Sequence, residues 1–184
     1  MRIWILLCLM LVSCVGIVYR RGEVVEEKIN RDVYIDIDFR VSEREKIERV
    51  VREWDNAIGG MRIEVVGNYR GDGIGEIVRR RGIIIKKIGA EHYLVDDTGG
   101  RALAFTDAIN GSVIYIIRGR VSEDILEPVI RHEMGHIMGV EHQDDGLMYY
   151  RFNLFDYQCI DEKTIDSVVR VWKLDKRGMS YCVR

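Results

Sequence analysis

The sequence predicts a single α+β domain of sandwich type, and three observations predict it. Segments of period-two hydrophobicity alternate with segments of period 3.6, in the order strand, helix, several strands, then helix, loop and helix. The 184 residues suit one domain of ordinary size, and an apolar fraction of 47% is enough for a real core. One proline, no internal repeat and no second linker exclude a disordered chain and a repeat array.

The first strand is read over residues 33–39, where Val33, Ile35, Ile37 and Phe39 alternate with Tyr34, Asp36 and Asp38. Ser42 and Glu45 then have the spacing of a capping box, each able to satisfy an amide donor that a helix start leaves open. Ile47, Val50, Val51, Trp54 and Ile58 form one helical stripe, and Gly59-Gly60 supplies the stop. Alternation resumes over 61–66 as a second strand, followed by a glycine-rich loop over 67–75. Ile83, Ile84 and Ile85 read as a short buried strand. Two more strands, 101–106 and 113–117, are joined by a turn around Asn110-Gly111. A second helical segment covers 122–139, with Pro128 near its start, where proline is tolerated. The last helix, 161–174, puts Ile165, Val168, Val169 and Trp172 on one face.

Charge narrows the partners. Against 28 Lys and Arg stand 30 Asp and Glu, so the chain is no strongly basic nucleic-acid binder. Arg79-Arg80-Arg81, the one dense basic cluster, reads as a solvated turn.

The first fourteen residues read as a targeting segment. Arg2 is followed by an unbroken apolar run from Ile3 to Val12, then by Ser13 and Cys14, the layout of a secretory signal. The tetrad Leu11-Val12-Ser13-Cys14 resembles the lipobox of bacterial lipoproteins, which implies Cys14 as a lipidated first residue of the mature chain. The rival reading is an uncleaved anchor, since the apolar run extends to Tyr19 and so reaches the lower limit of a membrane span, roughly 17 residues. Either way the chain is exported and held at a membrane of the cell envelope, and without an anchor it is secreted. Residues 15–30 then form a polar tether, and 31–184 the folded domain.

Three of the four histidines lie within eleven residues, His132-Glu133-Met134-Gly135-His136-Ile137-Met138-Gly139-Val140-Glu141-His142. A spacing of four on a helix places His132 and His136 on one face, one turn apart, where both imidazoles can reach one ion. Gly139 can take positive φ, end the helix and turn the chain so that His142 joins them. Three neutral ligands leave one coordination position open, as in catalytic rather than structural zinc sites. Glu133, next to the first ligand, can act on a water there without occupying a ligand position.

His-Glu-x-x-His-x-x-Gly-x-x-His resembles the zinc signature of the metzincin metallopeptidases. Asp145-Gly146-Leu147-Met148-Tyr149 is similar to their methionine turn, and the Leu-Met-Tyr tripeptide with its short spacing most resembles the matrixin branch. Gly99 to Ala104 is similar to the matrixin edge strand that lines the cleft. The resemblance implies His132, His136 and His142 as ligands of one catalytic Zn²⁺, Glu133 as general base and Met148 as the platform beneath the imidazoles. It also implies a twisted mixed sheet with a long N-terminal helix, an active-site helix and a C-terminal helix. Its substrate would be a polypeptide lying extended along the edge strand near 101–106. Matrixins usually have proline where this chain has Tyr150; in the astacin and serralysin branches a tyrosine there binds zinc or stabilises the oxyanion, so Tyr150 reads either that way or as an ordinary packed side chain. Several metzincins carry structural calcium. Asp72, Asp96, Asp97 and Asp144 lie in glycine-containing loops, but their spacing matches no calcium loop.

Cys159 and Cys182 flank the last helix and, in an oxidising compartment, can close a bridge worth about 3 kcal/mol. His92 has no partner nearby in sequence and reads as a surface residue. The sequence thus predicts a zinc metalloendopeptidase. The alternatives are a zinc-binding lipoprotein without catalysis and a hydrolase of non-peptide amides such as cell-wall cross-links.

Overall fold

The computed structural model describes residues 29–96, 102–151 and 159–182. Cys14 with the rest of the targeting segment, Asp97 and residues 99–101 of the edge strand lie outside the described residues.

Strand β1 spans Ile29–Asp36, earlier at both ends than its alternation suggests. Ile29 and Asn30, assigned from sequence to the tether, pair with Met61 and Arg62 through the backbone, which needs no apolar alternation. The strand stops at Asp36 because its Oδ1 accepts the Asp38 amide at 3.2 Å, a side-chain turn that competes with the ladder. Phe39 is still buried, but beyond the strand.

Helix α1, Val41–Ala57, buries Ile47, Val50, Val51 and Trp54, the stripe the sequence shows. Its cap differs. The N-cap is Arg40, and Glu43 rather than Glu45 accepts the cap amide, at 2.7 Å. Tertiary structure decides this, because Lys87 meets the same buried carboxylate at 2.8 Å.

β2 continues past the predicted end, over Met61–Tyr69. A short helix α2, Ile74–Arg79, follows where sequence showed part of a loop. It buries no residue completely, so it leaves no 3.6 periodicity to read. Arg79, Arg80 and Arg81 are all exposed, but only Arg80 and Arg81 form the expected turn, since Arg79 is the last residue of α2. β3, Ile83–Ile88, is followed by the one-turn helix α3, Tyr93–Asp96, then by β4, Ala104–Thr106, and β5, Val113–Ile117. A 3-10 turn at Glu123–Ile125 leads into α4, Leu126–Ile137, and α5 is Glu162–Trp172.

The sheet order is β2-β1-β3-β5-β4, parallel except for the antiparallel edge strand β4. Side-chain alternation divides its faces. Ile83, Ile85, Ile114 and Ile116 join α1, α4 and α5 in the main core, whereas Ile84, Val113 and Tyr69 pack with Ile77 of α2 on the other face. This is the mixed α+β architecture the sequence predicts.

Beyond the sheet, Cys159 and Cys182 form a disulfide that ties the start of α5 to the C-terminal segment. Closing a loop with a sequence separation of 23 is worth about 3 kcal/mol through the unfolded state. His92 is half-buried rather than simply on the surface, stacked on Tyr93 at 4.7 Å. Among the described residues no helix is long and apolar enough to cross a membrane.

Candidate metal centre

Helix α4 is buried along nearly its whole length, and its contacts explain how it is held. The Trp54 indole of α1 donates to the Arg131 carbonyl at 3.2 Å, and the Arg131 guanidinium pairs with Glu53 at 2.7 Å. His132 and His136 project from this fixed helix, 8% and 6% exposed.

Their orientation is set by backbone acceptors. His132 Nδ1 donates to the Leu147 carbonyl and His136 Nδ1 to the Val140 carbonyl, both at 2.7 Å. A carbonyl can only accept, so each neutral ring carries its proton on Nδ1 and its lone pair on Nε2. Burial pushes both imidazoles down to about 4. His142 is lowered as well, again through desolvation. The rings are therefore neutral near pH 7, the form that ligates metals.

Gly139 does what the sequence predicts. With φ +84 it ends α4; its amide bonds to the His136 carbonyl at 2.9 Å and the Val140 amide to the Gly135 carbonyl at 2.9 Å, the paired bonds of a Schellman motif. The reversed chain brings His142 back. Its ring centroid lies 4.7 Å from that of His136 and 5.5 Å from that of His132. Ligand atoms of all three residues lie within 4.8 Å of one another, a set able to hold one metal ion. Among the described residues no other group of three His, Cys, Asp or Glu does so, and Asp72 and Asp144 stand exposed outside it.

Met148 is fully buried beneath the helix. A Cβ on Gly135 would overlap its thioether sulfur, so glycine between the two histidines lets the methionine turn close up to α4. The Gln143 amide bonds to the Met148 carbonyl at 2.8 Å and so ties the segment after His142 to that turn.

Asp161 is the residue that the sequence reading did not single out. As N-cap of α5 it accepts the Thr164 amide through Oδ1 at 2.8 Å, and through Oδ2 it accepts the Leu147 amide at 2.7 Å. The Leu147 carbonyl in turn holds His132, so one residue, Leu147, connects Asp161 to a candidate ligand through its two backbone groups. Its only sequence signal is an Asp ahead of an apolar-periodic helix. The Trp172 indole donates to the Met138 carbonyl at 2.8 Å, closing the end of α4. The Asn110 amide donates to the His136 carbonyl at 2.8 Å and docks the β4–β5 hairpin on the same helix.

Between this hairpin and α4 runs a cleft of about 800 Å³. Leu103, Phe105, Ile109 and Val129 line it, with the three histidines, Glu133, Glu141 and Tyr150. Glu133 is 7% exposed, and among the described residues its Oε2 has no hydrogen-bond partner. Burial pushes its carboxyl up to about 8. Tyr150, 57% exposed, stands at the mouth of the cleft with Arg151 over its ring at 5.2 Å.

No family model and no curated protein matches the sequence. Solved structures do match. Archaemetzincin from Methanopyrus kandleri superposes with a TM-score of 0.52, covering 83% of this chain and 100% of that one. The two chains share a fold. At 12% identity the likeness extends to architecture alone.

Proposed function

We propose that the chain is a zinc-dependent metalloendopeptidase with His132, His136 and His142 as ligands. The observation that carries this reading is the pairing of two features in one cleft. Three histidine donors converge within 4.8 Å, and beside them a buried carboxyl group keeps an oxygen without a hydrogen-bond partner among the described residues. Neutral imidazoles suit zinc, and three of them leave a position open, so the residues present fit that ion. Bound there, zinc would polarise a carbonyl and lower the pKa of water towards about 7. Glu133 follows a ligand on the helix and faces the cleft. With a zinc cation beside it Glu133 would be held as the carboxylate, the form that takes a proton from the attacking water and delivers it to the leaving amine. Met148 supports the histidines from below, and Tyr150, which lines the same cleft, would donate to the developing oxyanion.

The substrate strand lies antiparallel to the outer edge of β4, whose other edge is bonded to β5. Within this class the Leu-Met-Tyr turn supports a matrixin-like branch. The first residues export the chain and anchor it at the envelope through Cys14. Loss of a palmitate label in Cys14→Ala supports that, and membrane association without label refutes it.

The central test compares the wild type with Glu133→Gln. Both proteins hold one zinc per chain, because Glu133 is not a ligand. The variant loses peptide hydrolysis by roughly 10²–10⁴-fold. Absence of zinc in folded wild type refutes the reading. Zinc retention with no peptidase activity in either protein favours a binding role without catalysis.

A further inference from the structure

Glu141 takes no part in the proposed chemistry, yet it lines the cleft immediately before His142. Its carboxylate is exposed and, among the described residues, has no hydrogen bond or ion pair. Several other exposed acids are paired: Asp38 with Arg118 at 2.8 Å, Asp145 with Lys163 at 2.6 Å and Glu162 with Lys176 at 2.8 Å. Among the described residues lining the cleft there is no lysine or arginine to neutralise Glu141. Arg151 packs on Tyr150 without lining it. The remaining wall is largely apolar, with Leu103, Phe105, Ile109 and Val129, so charge contrast along the cleft comes from its carboxyl groups.

Resting on the peptidase reading, we propose that Glu141 is a specificity-determining residue that selects substrates carrying a cationic group close to the scissile bond. Consecutive Cα atoms are about 3.8 Å apart, so Glu141 acts one residue from a metal ligand. An extended peptide spaces its residues by roughly 3.3–3.6 Å, which puts the selected group within one or two positions of the cleaved bond. Apolar residues of the same cleft receive the alkyl stem of a lysine or arginine while its head meets the carboxylate. Electrostatic complementarity of this kind sorts substrates by difference. Two sources supply the cation, a lysine or arginine side chain and a free peptide N-terminus.

The test uses the full chain loaded with zinc and three peptides identical except at one site: lysine with an acetylated N-terminus, norleucine with an acetylated N-terminus, and norleucine with a free N-terminus. Cleavage is measured in the wild type, Glu141→Gln and Glu141→Lys. Fluorescence polarisation measures binding of the same peptides to Glu133→Gln, with and without Glu141→Gln. The wild type prefers a cationic peptide by roughly 2- to 5-fold in kcat/KM, the range of an exposed ion pair. Glu141→Gln brings that ratio towards one, Glu141→Lys inverts it, and added salt narrows it. The acetylated lysine peptide against the free-terminus norleucine peptide separates the two sources. A wild-type ratio near one, or a ratio unchanged in Glu141→Gln, overturns the proposal. If no peptide is cleaved, the peptidase reading fails by itself, and the binding ratios still decide whether Glu141 selects cations.

Discussion

Asp161→Asn tests whether α5 reaches the metal centre through the backbone of a single residue, Leu147. Both carboxylate oxygens accept buried backbone amides, Thr164 N at 2.8 Å and Leu147 N at 2.7 Å, and the residue is 7% exposed. An amide keeps one accepting oxygen and turns an NH₂ group on the other donor. One charge-assisted bond is lost, worth about 1.5–3 kcal/mol, and a buried N–H is left facing a donor. The negative charge at the start of α5 adds about 0.3–1 kcal/mol. Together the loss is about 2–4 kcal/mol, which lowers Tm by roughly 4–16 °C at this chain length. The second consequence distinguishes this arrangement from an ordinary helix cap. The carbonyl that orients His132 belongs to the same residue, so a displaced Leu147 carries it out of place, and zinc affinity falls roughly 10- to 100-fold, the usual effect of losing a supporting hydrogen bond. Urea unfolding of the metal-free protein reads the first effect, and competition with a chelator of known affinity reads the second. A variant that loses stability but keeps zinc affinity within about twofold refutes the coupling. A variant that loses neither refutes the assigned bonds.

Gly139→Ala should be more damaging than a surface helix change, because φ is +84 and the added Cβ would lie 2.7 Å from Val171 Cγ1. A loss of more than about 1 kcal/mol by urea unfolding, with weakened zinc binding because His142 is displaced, is the expected result; a neutral outcome would show that the turn is not fixed by this residue. The metal-free protein should be most stable near pH 6.5. Burial holds His132 and His136 at about 4, so between pH 4 and 6.5 the unfolded chain binds protons that the folded chain does not, and stability rises with pH. Burial holds Glu133 at about 8, so above pH 4.5 the folded chain keeps a proton that the unfolded chain loses, and stability falls as pH rises towards 8. Two histidines outweigh one carboxyl below pH 6.5, and the carboxyl alone acts above it, at about 1.4 kcal/mol per pH unit per proton. Unfolding in urea with a chelator at pH 5.5, 6.5 and 8 measures the curve, and a steady rise to pH 8 refutes this balance.

Local spacing was enough to determine much of this protein. His132, His136 and Gly139 lie on one helix and its cap, where the 3.6-residue repeat and a positive φ fix relative positions without knowledge of the rest of the chain. The stripe on α1 and the stripe on α5 are legible for the same reason, since burial of one helical face repeats at a fixed interval. Only the tertiary structure decided what depends on distant backbone atoms. The Leu147 carbonyl that orients His132 lies 15 residues away, and Asp161 holds the amide of that same residue from 14 residues further on. Ile29 and Asn30 became strand through pairing with β2, and Glu43 displaced Glu45 at the α1 cap because Lys87 of β3 meets it there. Hydrogen bonds and ion pairs between segments leave no periodic trace in sequence, so the place of Glu141 in the cleft wall became visible only once α4 and the hairpin had closed around it.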